Sequence, residues 1–195
     1  GYKATRHPMP DELAMQMPVM KDVLRAMRIP IFECEGWEAD DVIGTIGKRC
    51  GHAGWDCVIV TGDRDSLQLI DGNVHVKLVI SKPGQTTTTL FDEEKFREEY
   101  GFEPKKLIDL KALMGDSSDN IPGVAGVGPK TAKELLAKFG SLDGVYAHLD
   151  DPSIRPKLRE KLEAGKENAY LSFDLATIRP EAPIDFAPKD AIVQP

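Results

Sequence analysis

A chain of 195 residues makes one large domain or two small ones, and at 41% hydrophobic and 29% charged it can bury a real core. No apolar run approaches the ~20 residues that a membrane span needs, and no signal peptide is visible. The net charge of −7 neither supports nor excludes nucleic acid, because cations bound at a concentrated acidic site cancel it locally.

Basic residues recur in groups, at Lys3 and Arg6, at Lys105, Lys106 and Lys111, and at Lys130, Lys133 and Lys138. The three cysteines, Cys34, Cys50 and Cys57, have no CxxC spacing and read as reduced, buried thiols of a cytoplasmic protein. The four histidines are scattered, which argues against a zinc site. The chain opens on Gly1 without an initiator Met, as expected of a fragment of something longer.

In chain order, apolar residues recur at helical spacing over residues 10–27, at Leu13, Met17, Met20, Val23, Leu24 and Met27. A short apolar run at 29–33 follows and is expected as a strand. Residues 40–50 read as a helix with acidic residues in its first turn, where the dipole favours them. The β-branched run at 56–61 has the character of a buried parallel strand. Strands are also expected over 73–80 and 86–90, so helix, strand, helix and buried strand together make an α/β layer. Beyond about residue 91 the strand signals stop. Helices are expected over 92–100, ended by Gly101, over 104–114, and over 129–139, with Pro129 in the first turn and Gly140 at the C-terminal end. Two more follow at 155–163 and 166–176. The boundary between an α/β unit and an all-helical unit is placed near residue 102, and the proline-rich tail from Pro180 reads as the start of a linker.

Seven carboxylates stand in three clusters: Glu38, Asp40 and Asp41; Asp63 and Asp65; Asp116 and Asp119. Carboxylates crowded this way repel unless a cation or proton neutralises them, and hard cations with oxygen ligands are the natural reason to collect them. Asp63 and Asp65 follow the buried strand, where ligands of open α/β sheets bind. Each cluster also has a plain structural alternative. Asp65 could cap the next helix, Asp40 and Asp41 could cap theirs, and Asp116 and Asp119 could end a helix in a solvated turn.

The glycine-rich run from Gly123 through Gly126 and Gly128 to Lys130 and Thr131 superficially matches a phosphate-binding P-loop. That reading fails twice, because Pro129 separates Gly128 from Lys130 and the preceding segment is helical rather than a strand. It fits a helix-hairpin-helix, in which Val127 anchors the hairpin and the amides opening the second helix face a DNA phosphate beside Lys130 and Thr131. A tight helix-helix turn is the structural alternative.

Taken together, these stretches closely resemble the 5′-3′ exonuclease and flap endonuclease family, in particular the 5′ nuclease domains of bacterial DNA polymerase I. The resemblance is carried by Gly1 to Arg6, Glu38 to Gly44, Thr61 to Asp65, Leu113 to Val124 and Gly126 to Ala132. It implies a PIN-like (Rossmann-like) parallel-sheet α/β unit over 1–102, a helix-hairpin-helix (H3TH) subdomain over 103–180, and the start of a linker from 181. By the resemblance, Glu38, Asp40, Asp41, Asp63 and Asp65 surround the catalytic metal, and Asp116 and Asp119 complete a second metal position. Lys3 and Arg6 match the basic gateway residues that contact the scissile phosphate, and Tyr2 an aromatic that stacks on a base. Gly123, Gly126, Gly128, Lys130 and Thr131 match the hairpin that holds duplex DNA, where a potassium ion commonly binds loop carbonyls.

The implied activity is hydrolysis of DNA, and of RNA primers, by two Mg2+ or Mn2+ ions about 4 Å apart. The implied substrates are 5′ flaps, nicks and free 5′ ends, in primer removal and nick-translation repair. A polymerase domain is expected in the same native chain, in the bacterial cytoplasm on nucleoid DNA. The family's first strands, with their metal-binding Asp residues, would precede Gly1, so weak metal binding and poor cleavage are expected of this fragment. A non-catalytic DNA-structure-binding module is the alternative from another class; the intact acidic clusters argue against it, since a pure DNA binder gains only repulsion from them.

Overall fold

The computed structural model describes residues 8–192. The first unit contains α1 (Asp11–Ala26), α2 (Ala39–His52), β1 (Cys57–Thr61), a 3-10 turn (Arg64–Leu69), β2 (Val74–Lys82) and β3 (Gln85–Phe91). Six helices follow: α3 (Glu93–Tyr100), α4 (Lys106–Met114), α5 (Pro129–Phe139), α6 (Leu142–Ala147), α7 (Pro156–Ala164) and α8 (Lys166–Ala176).

The sheet runs β1-β2-β3. β1 and β2 are parallel, with Ile59 opposite Val76, whereas β3 returns antiparallel through a turn at Pro83 and Gly84. The expected parallel sheet is therefore mixed, because two residues suffice to turn a hairpin but not to make a parallel crossover. Val74, Val76 and Leu78 alternate inward and are almost fully buried.

Three expectations change. β1 buries only Ile59, while Val58 is 51% and Val60 65% exposed, since β2 is its one strand neighbour among the described residues. Residues 29–33 form no strand: Pro30 removes a backbone donor, and no described strand pairs with them. Helix α1 has the anticipated apolar spacing yet buries none of its residues.

One core runs through both units, from Leu67, Val76 and Phe91 to Phe96, Leu110, Leu113, Leu135 and Leu162. Helix α4 is its hub, packing on α5 and α8. Its buried Asp109 accepts a hydrogen bond from the Leu142 N–H at 2.7 Å, which ties α4 to the start of α6, a helix too short to show clear periodicity.

The tail expected to start a linker instead packs down. Ala182, Ile184 and Phe186 are buried with Val42 and Cys50 of α2. Arg49 donates to the carbonyls of Ile184 (2.7 Å) and Phe186 (3.0 Å), and the Ala182 N–H donates to Thr45 Oγ1 at 2.9 Å. Gly44 makes this fit possible, for a Cβ there would lie 2.8 Å from Ile178 Cγ2. Residues 177–186 thus form a strap that binds the end of α8 to α2. Among the described residues, no helix is long and apolar enough to cross a membrane.

Candidate active site

Three chain segments deliver carboxylates to one place. The N-terminus of α2 presents Glu38, Asp40 and Asp41, and the 3-10 turn after β1 presents Asp65. The turn after α4 is closed by a bridge in which Asp116 and Ile121 exchange both backbone hydrogen bonds, at 2.9 and 2.8 Å, and it holds Asp119 buried. Glu38, Asp40, Asp41, Asp65 and Asp119 line a crevice of about 170 Å³. Asp174, at the end of α8, and Arg179, on the strap, line it too; no pattern in the sequence linked either to the clusters.

The other two predicted acids stand outside the lining. Asp63, rather than its neighbour Asp65, caps the 3-10 turn, accepting from the Asp65 N–H at 2.9 Å. Asp116 faces Lys111. The Lys111 ammonium donates to Asp116 Oδ2 at 2.7 Å and also to Asp65, so one cation joins two of the three clusters. Its signal in the sequence was a lysine set between Leu110 and Ala112 in an apolar stretch of helix, where only a paired charge is tolerated.

The charges respond accordingly. Burial alone would raise Asp116, but the Lys111 ammonium and the Ser118 hydroxyl and N–H outweigh it, leaving its pKa at about 2. Burial likewise opposes charge on Lys111, yet Asp116 and Asp65 hold it above the ordinary lysine value. Asp65 moves the other way. Burial pushes it up, Lys111 offsets part of this, and the like charges of Asp63 and Asp116 add to the rise.

Asp41 has both oxygens engaged by backbone. Oδ2 accepts from the Glu38 N–H at 3.3 Å, and Oδ1 from the Arg179 N–H at 2.8 Å. It therefore fastens the strap to the crevice wall. Among the described residues, no three carboxylate, imidazole or thiol groups close into a ready-made metal cage. Apart from the Arg179 guanidinium and the Thr177 hydroxyl, which donates to the Phe173 carbonyl at 2.6 Å, the polar side chains lining the crevice are carboxylates, with no thiol or imidazole. That donor set fits a hard divalent ion such as Mg2+, which binds through a few carboxylates together with water and phosphate rather than in an all-protein cage.

Beside this turn lies the hairpin. The Val124 N–H donates to the Leu113 carbonyl at 2.8 Å, and Val124 and Val127 are buried. Gly126, Gly128 and Lys130 are exposed and Thr131 partly so, at the start of α5, whose first turn opens on Pro129. Gly123 differs. It is buried, and its N–H is taken by Ser172 Oγ at 2.9 Å, so it braces the hairpin from inside rather than facing a ligand. Lys161 donates to the Gly126 carbonyl at 3.1 Å. Tyr2, Lys3 and Arg6 lie outside the described residues.

A family model described as the 5′-3′ exonuclease N-terminal resolvase-like domain matches residues 1–101, and one described as the 5′-3′ exonuclease C-terminal SAM fold matches 102–195. The chain belongs to the 5′-3′ exonuclease family. Within this family it is similar to DNA polymerase I of Caldicellulosiruptor bescii, 49% identical over 97% of this chain and 22% of the relative. DNA polymerase I of Bacillus caldotenax is 44% identical over 99% of this chain and 22% of its own length. This exonuclease-family chain thus spans about a fifth of the curated relatives it matches.

Among solved structures, it is similar to T5 5′-exonuclease with zinc bound, at 25% identity and TM-score 0.71, covering 91% of this chain and 67% of that one. A T5 flap endonuclease in a pseudo-enzyme-product complex with DNA and metal ions matches at 25% identity and TM-score 0.72, covering 91% and 67%. The catalytic core of Rad2 with DNA shares the fold, at 18% identity and TM-score 0.57 over 92% and 61%.

Proposed function

We propose that this chain is the 5′-3′ exonuclease and 5′-flap endonuclease part of a DNA polymerase I, acting in the bacterial cytoplasm on DNA with a flap, nick or free 5′ end. The observation that carries this is the convergence of Glu38, Asp40, Asp41, Asp65 and Asp119 on one crevice beside the hairpin. A DNA-binding module would gain nothing from such a concentration of negative charge next to its ligand.

Glu38, Asp40, Asp65 and Asp119 would hold the divalent ions, Mg2+ or Mn2+, with Asp63 and Asp116 supporting from behind. Such ions, when bound, supply an activated water and charge stabilisation for phosphodiester hydrolysis. The protein's own part is positional. Lys111 holds Asp65 and Asp116 together, and Asp41 fixes the wall of the crevice. The amides that open α5, with Lys130 and Thr131, would grip a phosphate of the duplex through the positive end of the helix, without reading sequence. A potassium ion would bind carbonyls of the hairpin, where the Lys161 ammonium holds that of Gly126. Lys3 and Arg6 would contact the scissile phosphate and Tyr2 a base beside it.

The test is cleavage of a 5′-flap duplex by the full-length natural protein in Mg2+. Asp65→Asn and Asp119→Asn should each lower kcat by about 100-fold or more while changing flap affinity little. Full activity in both variants would refute the assignment. Loss of binding with no cleavage in the wild type would leave only the structural reading of the clusters.

A further inference from the structure

The crevice that would receive a phosphodiester is lined by six acids: Glu38, Asp40, Asp41, Asp65, Asp119 and Asp174. Arg179 is the one cationic side chain among the described residues lining it. Three features make it more than a chance surface arginine.

Its backbone is fixed from several sides. The buried Gln68 side chain brackets the strap, donating to the Ala176 carbonyl at 2.9 Å and accepting from the Ile178 N–H at 3.0 Å. The next N–H, that of Arg179 itself, is held by Asp41 at 2.8 Å. Arg179 therefore springs from the crevice wall at a set position, anchored by one of the acidic residues. Its guanidinium, by contrast, is loosely held. It reaches Asp174 at 3.3 and 3.4 Å, and the two side chains are 60% and 66% exposed. An exposed ion pair of this kind is worth little and is easily exchanged for another anion. Finally, guanidinium is the side chain best matched to a phosphate, offering a planar fork of N–H donors with permanent charge.

We propose that Arg179 is a substrate-positioning residue, releasing Asp174 to clamp a phosphate of the nucleic-acid strand as it enters the acidic crevice. Asp174 holds the guanidinium at the mouth until a phosphate replaces it. This role rests on the nuclease activity proposed above and adds to it a residue outside the acidic clusters and the hairpin.

The experiment uses the full-length protein and a 5′-flap duplex. Affinity is measured in Ca2+ across a salt series and steady-state cleavage in Mg2+, for the wild type, Arg179→Ala, Arg179→Lys and Asp174→Asn. Arg179→Ala should weaken binding and raise KM by about tenfold and reduce the slope of log affinity against log salt by about one. Its kcat should change far less, because the clamp acts before the reacting bond. Arg179→Lys should recover the salt slope and part of the affinity. Asp174→Asn should bind as tightly as the wild type or tighter, since an anion competing for the guanidinium is gone. The Arg179 N–H bond to Asp41 survives in every variant, so unchanged thermal midpoints check that folding is intact. An Arg179→Ala protein with wild-type KM and salt slope would overturn the clamp while leaving the nuclease standing. A wild type that neither binds nor cuts the flap would overturn both.

Discussion

Lys111 links two acidic clusters that are far apart in the sequence. Its side chain is only 9% exposed, against 22% and 20% for its partners Asp65 and Asp116. Removing one member of so enclosed a group leaves the others uncompensated, which costs more than the intact group contributes. Lys111→Met should therefore destabilise the fold by about 3 kcal/mol in urea titrations at neutral pH with a chelator present. Millimolar Mg2+ should return part of that loss in the variant, since a divalent ion can take over the neutralising role. A variant as stable as the wild type in chelator would show that the lysine is incidental.

Asp151 offers a pH test far from the crevice. Lys138 (2.6 Å) and the Ser153 hydroxyl and N–H hold its carboxyl well below the ordinary range. A depressed folded-state pKa contributes stability that is complete above the unfolded value of about 4 and fades as pH falls below it. The melting temperature of Asp151→Ala should accordingly lie below the wild type at pH 7, with the gap closing as pH drops below about 4. A gap that widened in acid would contradict the sign.

At the scale of elements, the helices were largely legible because their signals are local. Pro129 opens α5, and Gly101 and Gly140 end their helices in left-handed conformation, as their types and spacing indicated; Asp92, expected as the first helical residue, caps α3 instead. What stayed hidden depends on distant partners. Nothing within residues 29–33 says whether a neighbouring strand will pair with them, and that β2 is the one strand beside β1 among the described residues is equally invisible from β1's own β-branched residues. Nor could the proline-rich tail show that Ala182, Ile184 and Phe186 have a groove on α2 to fill. The hairpin was recognisable from its glycines, but the division of labour among them was not. Gly123 sits at φ +60°, and a Cβ there would lie 2.2 Å from the Gly115 nitrogen. Gly123→Ala should cost about 2–4 kcal/mol by forcing backbone against backbone in a left-handed conformation. Duplex affinity should fall with the hairpin's order. An alanine variant that matches the wild type in denaturant midpoint would mean that this contact relaxes freely.

For the whole molecule, the acidic clusters could be seen in the sequence as candidates, while their convergence could not. The sequence places seven carboxylates near element ends, and each cluster had a plain structural alternative, as helix caps or as a solvated turn. Folding separates the two roles only in part: Asp63 caps, Glu38 and Asp41 line the crevice while forming the capping box of α2, and Asp40, Asp65 and Asp119 line it as well. Lys111, Asp174 and Arg179 joined them only in three dimensions, from a buried face of α4, from the end of α8 and from the strap. So acidic a crevice repels DNA until cations fill it. Chelation should abolish flap cleavage by the full-length protein and weaken its binding, and Mg2+ should restore both. Cleavage that persisted in excess chelator would rule out a metal-dependent nuclease.

The central claim, that this crevice is a divalent-metal centre for phosphodiester hydrolysis, is tested most directly by anomalous diffraction from crystals of the full-length protein soaked in Mn2+. Anomalous peaks should appear in the crevice within coordination distance of Asp65 or Asp119, and disappear in Asp65→Asn/Asp119→Asn. A crevice without manganese, in crystals of a protein that cleaves flap DNA in the same buffer, would contradict it.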